Sequence, residues 1–412
     1  MPIKTVFVAA KKYILTAILL GSFLLCLLYA FAFRIAPVVD AKAYDRIAAN
    51  IAEGYGFRED PTLSYEFDHA ITRAGPGYEF FLAGLYRVFG HRLEPAWAAQ
   101  ALLHALSALL VYLVFRRLFR DGGEAPALVA AALFGFWPDL IEISAMLLTE
   151  TLYLFLTMLV VWVFTLAYDR PQSKAFAALL GAAAGVAILT RPPLLLFVPI
   201  IAFFYWNKKS YAPLAAFGAC VALPIAPWVA RNYLIYHKLI LTTMIGEYNL
   251  WLGNTLASTG GQFNDAANPL NDFVNANGFF GLKAKASAEF WGFISAHPLI
   301  FLKLCLIRFI RYFSLIRPMG FWFYQSGISQ MAFVASSLVW IAGVFVAGCS
   351  GLVTALRHRE EIMWYIAAFT LPRRYSSSPR WCSPAIDFKS IRSSPCLRHT
   401  PSSGGGWSGG RP

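Results

Sequence analysis

The chain has 412 residues, 58% of them hydrophobic and only 14% charged, with a mean hydropathy of +0.55; a water-soluble interior cannot hide that much apolar surface, so a soluble globular protein is excluded. The formal net charge of +13 does not indicate nucleic-acid binding, because Lys and Arg stand mainly at the ends of apolar runs and in the C-terminal tail. No disulfide framework is indicated: there is no CxxC, Cys26, Cys220, Cys305 and Cys349 lie in apolar segments, and Cys382 and Cys396 lie in the tail.

In chain order, the first element is YILTAILLGSFLLCLLYAFAF, residues 13–33, which has no charge. It is too long for a signal-peptide core and has no A-x-A-like site, so it reads as a first membrane helix. Further apolar runs follow at 97–115, 126–146, 149–168, 175–190, 192–206, 212–230 and 330–354, and another begins near 362. The expected fold is an all-α polytopic membrane bundle of about eight or nine helices. Basic groups mark alternate turns: Arg116, Arg117 and Arg120, then Arg170 and Lys174, then Lys208 and Lys209, then Arg357 and Arg359. By the positive-inside rule these turns, with the N-terminal lysines, face the cytoplasm. The first loop (34–96) and a later one (231–297) then face outward, and they are rich in Asp, Glu, Asn, Trp and Tyr. The segment 298–316 carries Lys303, Arg308 and Arg311 among bulky apolar residues, and is expected as a basic amphipathic helix in the interface. Residues 1–370 read as one membrane domain. Residues 371–412, rich in Ser, Pro, Arg and Gly, read as a disordered tail produced by a frame shift near 371, which would leave the chain truncated and inactive.

Within the first loop, VVDAKAYDRIAANIAEGYGF, residues 38–57, predicts a helix from Ala41 to Glu53. Asp40 is placed at its N-cap, Asp45 on its surface, and Gly54-Tyr55-Gly56 at the turn that ends it. A carboxylate at the membrane face also suits activation of an acceptor hydroxyl. TRAGPGYEFFLAGLYRVFG, residues 72–90, places the Gly75-Pro76-Gly77 turn ahead of an amphipathic helix, with Arg73 exposed before it. A guanidinium there matches phosphate oxygens two at a time. In FWPDLIEISAMLLTETLYLFL, residues 136–156, Asp139, Glu142 and Glu150 surround an outward turn, and Thr149 is a candidate N-cap. GAAAGVAILTRPPLLLFVP, residues 181–199, offers Gly181 and Gly185 for close helix packing and ends on Arg191, which can pair with a lipid phosphate or with Glu150. PWVARNYLIYHKLILTTMIGEYNLWLGN, residues 227–254, puts Arg231 and Asn232 just outside the seventh span.

The chain has no GxSxG elbow, no P-loop and no GxGxxG after a strand, which argues against a serine nucleophile and against nucleotide-driven transport. Charges cluster at span ends rather than mid-span, which favours an enzyme over the alternative, a flippase or polymerase-like transporter of lipid-linked oligosaccharide.

Taken in order, D-x-x-x-Y-D with A-x-x-I-A-x-G-x-G-F, RAGPGYEFFLAGLYRVFG, LLTETLYLFL, AAAGVAILTRPPLLL and PWVARNYLIYHKLIL resemble the polyprenyl-phosphate-sugar-dependent GT-C glycosyltransferases. These are the protein O-mannosyltransferases of glycosyltransferase family 39 and the lipid A aminoarabinose transferases. The resemblance covers residues 10–370. It implies inverting transfer of a sugar from a polyprenyl phosphate to an external lipid, glycan or protein, on the periplasmic side of a bacterial inner membrane. It also implies Asp40 as base toward the acceptor or metal-associated acid, and Glu150 as a second site acid. Arg73, Arg191 and Arg231 would face the donor phosphate, with Tyr78 and Asn232 beside the substrate. Some members need a divalent metal and some do not. The chain departs from the family at Ala41, where an acid follows the first Asp; at Glu79, where Pro is usual; and after Arg374-Tyr375, where Ser follows.

Overall fold

Runs of apolar residues long enough to satisfy every backbone hydrogen bond internally become helices in a lipid environment, and the chain follows that rule. The computed structural model describes residues 3–73, 75–119, 124–260, 270–312, 328–358, 362, 364 and 365. Among these, the regular elements are all helical: α1 (Ile3–Phe33), α2 (Asp40–Glu53), α3 (Pro76–Phe89), α4 (Leu93–Leu118), α5 (Ala125–Gly135), α6 (Pro138–Ser144), α7 (Thr149–Asp169), α8 (Lys174–Thr190), α9 (Val198–Asn207), α10 (Tyr211–Tyr236), α11 (Ile245–Gly253), α12 (Leu270–Ala296), α13 (Pro298–Tyr312) and α14 (Ile328–His358). Short 3-10 helices at His69–Thr72 and Pro192–Phe197 lead into α3 and α9.

Among the described residues, five helical stretches are long and apolar enough to cross a membrane: Tyr13–Phe33, Leu93–Leu118, Thr149–Asp169, Tyr211–Tyr236 and Met331–Gly348. The bent pairs α5–α6, at 53°, and Asn277–Ala296 with Pro298–Arg311, at 104°, raise that number to as many as 7. The expected spans at 175–190 and 192–206 are present as the shorter apolar helices Lys174–Thr190 and Pro192–Asn207. Of the segment 298–316, expected in the interface, Pro298–Tyr312 form α13, turned sharply from the helix before it, and 313–316 lie outside the described residues. Arg120, Arg359, the side chain of Arg357, most of the span expected near 362 and the whole of 371–412 lie outside the described residues.

Leu24, Leu28 and Phe31 on α1 and Leu223 on α10 are exposed, as lipid-facing side chains are. The inner faces of α7, α8, α9 and α10 bury Val160, Phe164, Leu180, Ile188, Phe204 and Phe217. Gly181 and Gly185 explain how α8 lies so close to α10. A β-carbon at Gly181 would stand 2.3 Å from the Phe217 carbonyl oxygen, and one at Gly185 2.5 Å from that of Val221. At one end of the bundle, Arg117 in the last turn of α4 pairs with Asp169 at the end of α7 and donates to the Thr165 carbonyl. The other end receives the C-termini of α1, α8 and α10 and the N-terminus of α7. Here α2 and α3 pack across the bundle.

Candidate active site

The chain leaves α1 through two left-handed residues, Arg34 (φ 42°) and Val39 (φ 50°). For a β-branched valine that backbone is strained, and such positions cluster where a side chain must be aimed. Val39, rather than Asp40, stands at the N-cap of α2, and Asp40 opens the helix within its first turn. The partial positive charge of the helix N-terminus favours a carboxylate there. Gly54 closes α2 in the left-handed region (φ 95°), with its N–H on Asn50 and Ile51 carbonyls, so the expected end of this helix is where it lies.

The loop beyond α2 is pinned by two polar side chains. Asn50 donates through its amide to the carbonyls of Arg58 and Glu59, at 2.8 and 3.3 Å. The buried Asp68 accepts the backbone N–H groups of Glu59 and Ala70, at 3.0 and 3.1 Å, and pairs with Arg58 at 3.5 Å. Together they aim Glu59 at Arg73, which it grips as a fork: Arg73 Nε donates to Oε2 and Nη2 to Oε1, each at 2.8 Å. Asp40 lies on the other side of the same guanidinium, 3.7 Å from Nη1. The segment after α10 braces this group, since the Met244 N–H donates to the Ile71 carbonyl and the Thr243 hydroxyl lies against the carbonyls of Ile71 and Arg73.

Gly75 and Gly77 bring this group to the end of α8. A β-carbon at Gly75 would stand 2.4 Å from the Leu189 carbonyl oxygen, and one at Gly77 2.6 Å from Thr190 Oγ1. The next residue after Thr190 is Arg191, whose Nη1 meets Glu150 Oε1 at 2.5 Å, so the pairing expected between these two is present. Arg191 also lies 5.9 Å from the Tyr153 ring. Leu148 takes the N-cap position expected of Thr149, whose hydroxyl donates to Glu150 at 3.2 Å.

Tyr44 and Glu79 stand between the two ion pairs. Burial pushes the Tyr44 hydroxyl well above its usual range; Glu79 and Glu150 add to the rise, and Arg191 and Arg73 oppose it. Glu79, Glu150, Arg73 and Arg191 therefore all lie near one buried hydroxyl. Glu79 has no exposed surface, and neither carboxyl oxygen has a hydrogen-bond partner among the described residues. Burial pushes its carboxyl up to about 8, with its own backbone N–H, too poorly aligned to count as a hydrogen bond, and then Arg73 opposing only in part.

Three expected substrate contacts, Tyr78, Arg231 and Asn232, have partners within the protein. Tyr78 is wholly enclosed. Its hydroxyl donates to Gln100 at 2.7 Å, and Gln100 donates to the carbonyls of Ser144 and Met146, which ties α3 to α4 and to the approach to α7. Arg231 sits among the rings of Trp228, Phe57, Tyr65 and Tyr236, 5.0 to 5.7 Å from their centroids, and donates to the Phe57 carbonyl and to Asn232. Asn232 is buried and donates to the Ile240 carbonyl. These two residues clamp α10 to the first loop rather than join Arg73 and Arg191. Among the described residues no three His, Cys, Asp or Glu side chains gather as ligands for a metal ion, and Glu59 is held by the Arg73 guanidinium.

Two carboxylate–guanidinium pairs at one end of a membrane bundle, with a further acid beside them, suit the handling of a lipid phosphate and an acceptor hydroxyl. Residues 68–230 match the family model for dolichyl-phosphate-mannose-protein mannosyltransferase. The match supports a membrane glycosyltransferase of the GT-C type. It takes in Arg73, Tyr78, Glu79, Glu150 and Arg191, while Asp40 and Glu59 lie before it and Arg231 and Asn232 directly after it. No curated protein and no solved structure matches the chain.

Glu59, Asp68 and Asn50 did not stand out in the sequence. The only local signal was an acidic stretch, FREDPTLSYEFD, and nothing in its spacing names the acid that meets Arg73.

Proposed function

We propose that the chain transfers a sugar, with inversion, from a polyprenyl-phosphate donor to a lipid, glycan or protein acceptor outside the membrane. The observation that carries this reading is the gathering of Asp40, Arg73, Glu150 and Arg191 at one end of the helical bundle. In this reading Arg73 and Arg191 bind the donor's phosphate, each already oriented by a carboxylate. The acceptor oxygen attacks the anomeric carbon and gives its proton to Asp40. The bond from that carbon to the phosphate oxygen breaks, and the phosphate leaves with the electron pair. Asp40 and Arg73 are neighbours, so proton removal and charge stabilisation take place side by side. Glu150 keeps Arg191 in place.

Asp40→Asn keeps the shape and removes the base. It is expected to lower turnover by about 10²- to 10⁴-fold, with the donor KM little changed. Transfer from radiolabelled polyprenyl-phosphate sugars in membranes measures this, and full turnover in the variant overturns the assignment of the base.

The site is assigned to the periplasmic face of a bacterial inner membrane, because the basic turns at Arg116–Arg117 and Lys208–Lys209 belong to the opposite end. In a cysteine-free background, a membrane-impermeant maleimide applied from outside is expected to label Thr62→Cys and spare Lys208→Cys. The reverse pattern inverts the orientation.

A further inference from the structure

Glu79 is the one acid near these ion pairs for which the mechanism above has no use. It lies in the first turn of α3, four residues past Gly75, with no exposed surface and both carboxyl oxygens unpartnered among the described residues. Buried carboxyl groups are ordinarily paired, and a carboxyl that is not paired stays protonated. A protonated carboxyl presents an O–H donor, and this one has no acceptor among the described residues. The groups facing it are Tyr44 from α2, Arg73 from the segment before α3, and Tyr78 beside it on α3. Through Tyr44 it also neighbours Glu150 of α7 and Arg191 at the end of α8.

We propose that Glu79 is a binding residue for the lipid-linked donor: as the neutral acid it donates its O–H to a phosphate oxygen held by Arg73. This rests on the donor reading above and adds a residue and a required charge state to it. Glu59 and Asp40 already set two carboxylates against that guanidinium; a third anion beside it would repel the phosphate, whereas a neutral O–H adds a hydrogen bond. Pro, the residue the resemblance leads one to expect at this position, has no such donor, so the contact belongs to this chain in particular.

The test uses the purified full chain in detergent and a short-chain polyprenyl-phosphate hexose as the probe, with binding read by tryptophan fluorescence from pH 7 to 9. The probe is a phosphodiester, so its single charge does not change in that range. Burial holds the hydroxyls of Tyr44 and Tyr78 above their ordinary range, so they stay neutral as well. With the carboxyl at about 8, wild-type affinity is expected to fall about tenfold across the window. Glu79→Gln keeps a donor and cannot ionise, so its profile is expected to be flat, within about threefold of wild type at pH 7. Glu79→Leu is expected to bind about tenfold more weakly at pH 7, also with a flat profile. A flat wild-type profile, an equal fall in Glu79→Gln, or unimpaired binding by Glu79→Leu overturns the role of Glu79 and leaves the donor reading standing. Wild-type protein that binds no probe at any pH overturns the donor reading itself.

Discussion

Gly77→Val is expected to abolish sugar transfer and to lower the stability of the outer end of the bundle. A single β-carbon at this position already falls 2.6 Å from Thr190 Oγ1 and 2.8 Å from the Thr190 backbone nitrogen. Valine adds two methyl groups to that overlap. Thr190 cannot simply turn away, because its hydroxyl is bonded to the Val186 carbonyl at 3.0 Å and its backbone leads straight into Arg191. The start of α3 must therefore lift from the end of α8. Overpacking of this kind costs about 1–3 kcal/mol. The loss of function is expected to exceed the loss of stability, since the shift separates Arg73 from Arg191, and a displacement of about 1 Å in a positioned site reduces rate about 10²-fold. Thermal unfolding in detergent and the transfer assay together measure the two effects. Wild-type activity in Gly77→Val would mean that the approach of α3 to α8 does not set the site.

Arg73→Ala is expected to lower kcat/KM by about 10²- to 10³-fold, the loss seen when one preorganised donor to developing charge is removed. The donor KM should rise as well, because the guanidinium meets the phosphate before and during the reaction. Arg73→Lys is expected to recover little. An ammonium is a point charge and cannot make the paired contact that Glu59 makes with Nε and Nη2. Glu59→Gln separates orientation from charge: it keeps the side-chain shape, loosens the fork, and should lower kcat/KM by less than Arg73→Ala does. Steady-state kinetics with varied donor check all three. Arg73→Ala within threefold of wild type would remove Arg73 from the phosphate site.

The parts of this protein that were legible in the sequence are those governed by local physics. The apolar run at 13–33, the end of α2 at Gly54, the turn at Gly75-Pro76-Gly77 and the small-residue face of α8 each follow from helix length, left-handed glycine geometry or close packing over a few residues. The Arg191–Glu150 pair was also within reach, because both residues end spans on the same side. Tyr78 and Arg231 illustrate the limit. Both sit in motifs that resemble substrate-handling segments. Whether a hydroxyl or a guanidinium faces a substrate or its own neighbours depends on what packs around it, and here Gln100 takes one and an aromatic cage takes the other.

The sequence by itself determined that this is a membrane-embedded helical protein with its polar groups gathered at helix ends, because charge is costly in hydrocarbon and backbone polar groups must be satisfied within each span. Only the tertiary structure decided which charges became partners and which stayed alone. Glu59 reaches Arg73 across 14 residues and Arg191 reaches Glu150 across 41, and Coulombic pairing depends on distance in space, not along the chain. Glu79, one residue from Tyr78 in a helix first turn, stands out in the sequence only as a departure from a pattern in which Pro is usual. The packing of α3 against its neighbours removes it from solvent, and that desolvation makes it a neutral group beside Arg73.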